Sequence, residues 1–153
     1  MPVRSLLAWI KSKLNPRASP IDPSDSLTRF LFSDRDFRAA SRLLKERAFR
    51  PREGDSDISV FRTTGRKDAE IWEVGARFVL PERKASDSNA KLHGRADFNA
   101  AAPISLGLAC ELQPPPPEHA VVSGWPAEKH ERIQIAQELA ARAFLATPPV
   151  PIS

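Results

Sequence analysis

The sequence has 153 residues, of which 41% are hydrophobic and 27% charged, and its net charge is +4. That is enough chain for one globular domain burying roughly 65–70% of its unfolded surface, and too little for two full-sized domains. A single cysteine, Cys110, excludes an internal disulfide framework and a cysteine-rich zinc site and fits a reducing, cytoplasmic setting, while no apolar run reaches the ~18 residues of a transmembrane helix.

Residues 1–14 carry the run Leu6-Leu7-Ala8-Trp9-Ile10, with Arg4 before it and Lys11 and Lys13 after it. A secretory core needs ~7–15 apolar residues, so export is not expected. At helical spacing Leu6, Trp9, Ile10 and Leu14 form an apolar stripe, which predicts an N-terminal amphipathic helix. A helix of ~12 residues is marginal alone in water, so the stripe needs a surface: a partner's groove, a membrane face or the chain's own domain. Residues 15–26 read as a Pro-rich linker. Ten of the 15 prolines fall in three clusters, at Pro16, Pro20 and Pro23, at 114–117, and at Pro148, Pro149 and Pro151. Proline fixes φ and lacks the amide donor, so such clusters mark boundaries. They leave 27–146 as a single domain and 147–153 as a Pro-rich tail.

Within that domain, residues 27–32 (LTRFLF) read as an apolar strand. Ser33 offers a cap, with Asp36 three residues on, and 34–49 continues at helical spacing. Residues 57–62 alternate as a strand, and 63–65 turn. Residues 68–80 read as a helix with acidic residues at its N-terminal end, weakened by Gly75 at a cost of ~1 kcal/mol. A polar loop follows at 81–89. Residues 92–98, 108–112 and 119–123 read as strands, with a short helical turn at 100–106 and an extended crossing at 114–117. The last helix opens at Pro126, runs to about 145, and buries Ala136, Leu139, Ala140 and Ala143. Glu128–Arg132 and Glu138–Arg142 are expected i,i+4 pairs on it. The fold class that follows is α+β: a small, mostly antiparallel sheet packed against two or three helices, with the amphipathic N-terminal helix on its linker.

The net charge is unevenly spread. Residues 1–26 carry +2, residues 29–52 carry +5, and residues 53–153 carry −3. In the expected helix over 34–49, Arg35, Arg38, Arg42 and Lys45 share one face, with Phe37, Ala40, Leu44 and Ala48 opposite. Such a stripe suits phosphates or an acidic partner. It also suits plain solvation, because Asp34–Arg38 and Arg42–Glu46 would offset part of the field. No aromatic residues interleave it, and no helix-turn-helix or zinc-finger pattern is present.

Catalytic signals are sparse. On a strand, His93, Arg95 and Asp97 would share one face, and His119 could join them at the same sheet edge. Together they would make a small hydrolase or nuclease site, with a histidine to move a proton and an arginine to hold an anion. The competing reading is a polar outer side to a strand whose Leu92, Gly94, Ala96 and Phe98 face the core. The spacings of metal sites are absent, as are a Gly-x-Ser-x-Gly elbow and a phosphate loop, and no cofactor is expected. Residues 53–57 only partly match a calcium loop and suit a turn before a strand. Asp57, Lys67 and Glu70 stand in the wrong order for a nuclease core. Trp72 and Trp125 are expected in the core, and His130 in solvent.

The expectation is therefore a non-enzymatic accessory protein. It would dock on a larger protein or a protein–nucleic-acid assembly through Leu6, Trp9, Ile10 and Leu14 and through the cationic residues Arg35, Arg38, Arg42 and Lys45. Ala- and Arg-rich usage points to a GC-rich bacterial source. The alternatives are the His93/Arg95/Asp97/His119 enzyme and a direct nucleic-acid binder.

Overall fold

The computed structural model describes residues 19–153, so the expected N-terminal helix, with Leu6, Trp9, Ile10 and Leu14, lies outside the described residues. In chain order the described elements are β1 (Ser26–Leu31), β2 (Phe37–Arg38), β3 (Leu43–Leu44), β4 (Ile58–Arg62), α1 (Asp68–Val74), α2 (Leu80–Ser86), β5 (Gly94–Asn99), α3 (Ala101–Ser105), β6 (Ala109–Leu112), β7 (His119–Ser123), α4 (Lys129–Arg142) and β8 (Phe144–Ala146). Six of the strands form one sheet in the order β6-β7-β4-β1-β5-β8, antiparallel at every pairing; β2 and β3 form a separate hairpin.

Alternation along the strands divides the core in two. Leu27, Leu31, Val60, Phe98 and Val122 lie on one face, under Ala136 and Leu139 of α4 and beside Phe37, Leu44 and Phe49. Phe30 and Phe61 lie on the other face with Ile71 of α1 and Leu92. Burial on both faces explains why β1 reads as a nearly continuous apolar run. Trp125 fills the joint between β7 and α4, as expected, and its Nε1 donates to Val122 O at 2.9 Å.

Residues 34–49 are not a helix. Ser33 Oγ does accept from Arg35 N, at 3.2 Å, but only a single 3-10 turn (Asp34–Asp36) forms. The hairpin β2–β3 follows, and then a second 3-10 turn, Glu46–Ala48. The apolar spacing is satisfied in another way: Phe37, Leu44, Ala48 and Phe49 are all buried from this folded-back path. Arg42 turns the hairpin with φ +53°, in the left-handed region, and its Nη2 reaches Leu145 O at 2.7 Å. The expected pairs Asp34–Arg38 and Arg42–Glu46 give way to Asp36–Arg47 at 3.0 Å and Glu46–Arg50 at 3.5 Å.

The helix expected over 68–80 continues to Ser86 through a π turn, Gly75–Val79. Pro81 directly follows the π turn, at the start of α2, and the helix runs on past it, so 81–89 is not all loop. Gly75 sits where this helix comes down on the sheet: a Cβ there would lie 2.6 Å and 2.7 Å from ring carbons of Phe30 and 2.9 Å from Leu92 Cδ2. At the far end of the chain, α4 starts at Lys129 rather than Pro126. Both oxygens of Glu128 cap it, accepting from His130 N and Glu131 N, so Glu128 does not pair with Arg132. Arg142 does pair with Glu138, at 3.5 Å. The chain then leaves the helix as β8, which pairs with β5.

Both ends of the described chain are tied to the sheet, beyond the expected limits of 27 and 146. Pro23 O and Asp25 O accept from Ala101 N and Ala100 N, each at 2.9 Å. Leu92 and Ile152 exchange backbone hydrogen bonds of 2.8 and 3.0 Å. Residues 114–117 turn back, with His119 N donating to Pro116 O at 3.1 Å, instead of crossing in extended form. Among the described residues, no helix is long and apolar enough to cross a membrane.

Candidate anion-binding cleft

β1 and β4 pair only at Leu27↔Arg62 and Thr28↔Phe61, whereas β1 and β5 pair along all six residues of β1. Beyond Thr28 the two strands part, and the Arg29 side chain spans the opening. Its Nε donates to Ala48 O at 3.1 Å and its Nη1 to Ser59 O at 2.9 Å. A cleft of about 1020 Å³ opens here; Arg29, Phe32, Asp36, Arg52 and Arg83 are among its lining residues, and Arg47, Arg50, Lys129 and Arg132 also border it. Arg29, Phe32, Arg52 and Arg83 line a smaller recess of about 260 Å³ as well.

Basic side chains outnumber acidic ones in this cleft, whose lining also includes Glu46, Glu53 and Asp55. Burial, and then repulsion from Arg83 and Arg52, pushes the Arg29 guanidinium down to about 10, against the pull of Asp36. Arg83 is also lowered, by burial first and by Arg52 second, with Asp36 and Glu82 opposing. Asp36 is the carboxylate common to both, but it already pairs with Arg47, and burial raises its pKa. Arg83 lies over the Phe32 ring, 5.1 Å from its centroid, which fixes the guanidinium on an apolar support. Arg29 keeps only neutral carbonyl acceptors. Arginine presents a planar fork of donors suited to carboxylate and phosphate. A group of such side chains that repel one another around a half-buried space is stabilised by an incoming anion.

The residues expected at a site fall elsewhere. Arg35 and Arg38 are exposed, Arg42 is held on Leu145 O, and Lys45 donates its backbone N–H to Asp36 O at 2.9 Å; the four do not form one face. Arg95 and Asp97 do come together. Arg95, 5% exposed, donates from Nε to Asp97 at 3.1 Å and from Nη2 to Asp68 at 2.7 Å, and it stacks on Trp72 at 4.6 Å. Asp97 also accepts from Thr28 Oγ1 at 2.7 Å, and that hydroxyl bonds Thr63 at 2.9 Å. This polar side of β5 is covered by α1, so it is neither an open site nor a solvated edge. His93 stands just before β5, its N–H on Leu31 O at 2.9 Å. His119 shares a row with Asp97, but Phe61 and Thr28 stand between them. Three strand spacings are about 14 Å, too far for the two to share a proton or a substrate atom. His119 instead holds Ser59 Oγ through Nε2 and Gln113 O through Nδ1, with Phe61 against its ring.

Other sequence signals resolve into structure. Glu70 accepts from Lys67 N at 2.9 Å as a helix cap. Asp55 lies in a turn, and its carbonyl accepts from Arg132. Burial raises the Cys110 thiol to about 11, which keeps it protonated and poorly nucleophilic. Among the described residues, no three or more His, Cys, Asp or Glu side chains are grouped to hold a metal ion.

Arg29, Arg52 and Arg83 were not distinguishable as a set in the sequence. Arg29 carried one signal: it is the lone charge in LTRFLF, at the register of Leu27 and Leu31. The chain matches no known family model, no curated protein and no solved structure.

Proposed function

We propose that the chain is a non-enzymatic binding protein that docks on a larger protein or protein–nucleic-acid partner by taking an anionic segment of it into the Arg29/Arg52/Arg83 cleft. The observation that carries this reading is the convergence of those three arginines on one cleft whose nearby carboxylate, Asp36, is engaged by Arg47. The cationic contact expected at Arg35, Arg38, Arg42 and Lys45 moves in this reading from a helix face to the opening between β1 and β4. Lys129 and Arg132 on the border extend the positive surface for a ligand longer than one charge.

Two labelled probes test it, a single-stranded oligonucleotide and an oligoglutamate peptide, followed by fluorescence anisotropy across a salt series. Arg29→Met and Arg83→Ala should each weaken binding. Each should also lower the slope of log affinity against log salt by about one for the nucleic-acid probe. Preference for one probe identifies the partner class. If neither probe binds the wild-type chain, or if both variants bind as the wild type does, the cleft reading fails.

A further inference from the structure

On the side of α1 away from Arg95, Phe61, Ala69, Val74, Phe78 and Pro117 line an apolar groove of about 250 Å³, bordered by Arg62 and Glu118. A cavity of roughly 150 Å³ holds a benzene ring, so this groove has room for an indole. The described chain begins at its lip. Arg62, which borders the groove, donates from Nη1 to Ser19 O at 3.0 Å and is held in place by Glu118 and Asp25. Immediately upstream are residues 1–18, which contain the apolar set Leu6, Trp9, Ile10 and Leu14.

We propose that the apolar N-terminal segment docks in cis, with Trp9 as its anchor in the Phe61/Val74/Phe78 groove. Only residues 15–18 separate Leu14 from Ser19, so Leu14 stays within about 18 Å of a residue fixed at the groove. A tether that short sets an effective concentration on the order of millimolar, which a free partner at cellular concentration must outcompete. Charge does not select the occupant, because Glu70 and Glu73 line the groove together with Arg66 and Arg77. Tether length and apolar fit decide. The consequence for partners is a division of labour. The apolar segment completes its own domain, and the arginine cleft, on another part of the surface, is left for docking.

The test is fluorine NMR on the full chain labelled with 5-fluorotryptophan, which gives resonances for Trp9, Trp72 and Trp125; Trp9→Phe assigns the first. Trp9 should be shielded from solvent in the wild type. Ala69→Arg, at an exposed position on the groove wall, should shift it to the free-indole position while Trp72 and Trp125 stay where they are and report an intact fold. A Trp9 resonance already at the free-indole position in the wild type overturns the proposal. So does one that does not respond to Ala69→Arg. A shielded resonance that is lost on dilution assigns the groove to a second copy of the chain and overturns it as well. Salt-dependent probe binding at the cleft is measured separately, so failure here leaves that reading untouched.

Discussion

Two arginines on neighbouring strands show how differently one side chain is used. Arg95 on β5 turns to the α1 side of the sheet and meets two carboxylates, Asp97 on Nε and Asp68 on Nη2, with Trp72 against its plane and only Nη1 left without a hydrogen-bond partner. Arg29, on β1 and paired in register with Ala96, turns the other way. It finds two carbonyls and the repulsion of Arg83 and Arg52. The first arrangement holds the fold together. The second, in the reading proposed above, leaves positive charge for a bound anion to answer. A buried arginine therefore reveals nothing about its role until its partners are counted.

The sharpest break of that contrast is Arg95→Met. It leaves Asp97 partly buried beside only Thr28, and removal of one partner from such a network should cost about 3 kcal/mol. Most of that cost comes from Asp97, because Asp68 is exposed and its pair adds little. The readout is the urea midpoint, with the slope unchanged. Anion affinity per folded molecule should stay at the wild-type level.

Gly75→Ala comes next, because the helix that starts at α1 serves both arginines, bringing Asp68 and Trp72 to one and Arg83 to the other. Overpacking against Phe30 costs roughly 1–3 kcal/mol and helix propensity returns about 1, for a net loss of stability. Stability and probe affinity should fall together; a change in only one would mean that the two sites do not share this support.

Inorganic phosphate should stabilise the wild type by about 1.4 kcal/mol at ten times its Kd, read as a rise in Tm. The effect should persist in a destabilised Arg95→Met and vanish in Arg29→Met. The smallest expected effect is that of Arg29→Met on unliganded stability, within about 1 kcal/mol. It loses two hydrogen bonds to carbonyls but also relieves repulsion by Arg83 and Arg52. A loss as large as that of Arg95→Met would make Arg29 a structural residue and end the contrast.

Much of the sheet was legible because its strands announce themselves by alternation or by apolar runs. LTRFLF, DISVFR and HAVVS all became strands within a residue or two of expectation. The segment 34–49 was not. Its Phe37, Leu44 and Ala48 are spaced for one face of a helix, but the same residues reach the core from a hairpin and two 3-10 turns, and spacing alone does not separate the two. Pro81 misled in the other direction. It looks like a break, yet it directly follows the π turn, and the helix runs on past it to Ser86. The cleft was the least legible feature. Arg29, Arg52 and Arg83 are 23 and 31 residues apart in sequence. They meet only because β1 and β4 part after two paired residues, and that parting depends on tertiary packing which no local pattern encodes.

The proline clusters have a consequence beyond marking boundaries. The sheet has two outer strands, β6 and β8, of four and three residues. Pro114–Pro117 follow β6 within two residues, and Pro148, Pro149 and Pro151 follow β8 as closely. Both open edges are thus short, and each runs into proline-rich chain with few amide donors. Another strand laid along either edge finds only a few residues to pair with before the donors run out. This guards a sheet with an exposed Phe144 at its rim against edge-to-edge aggregation.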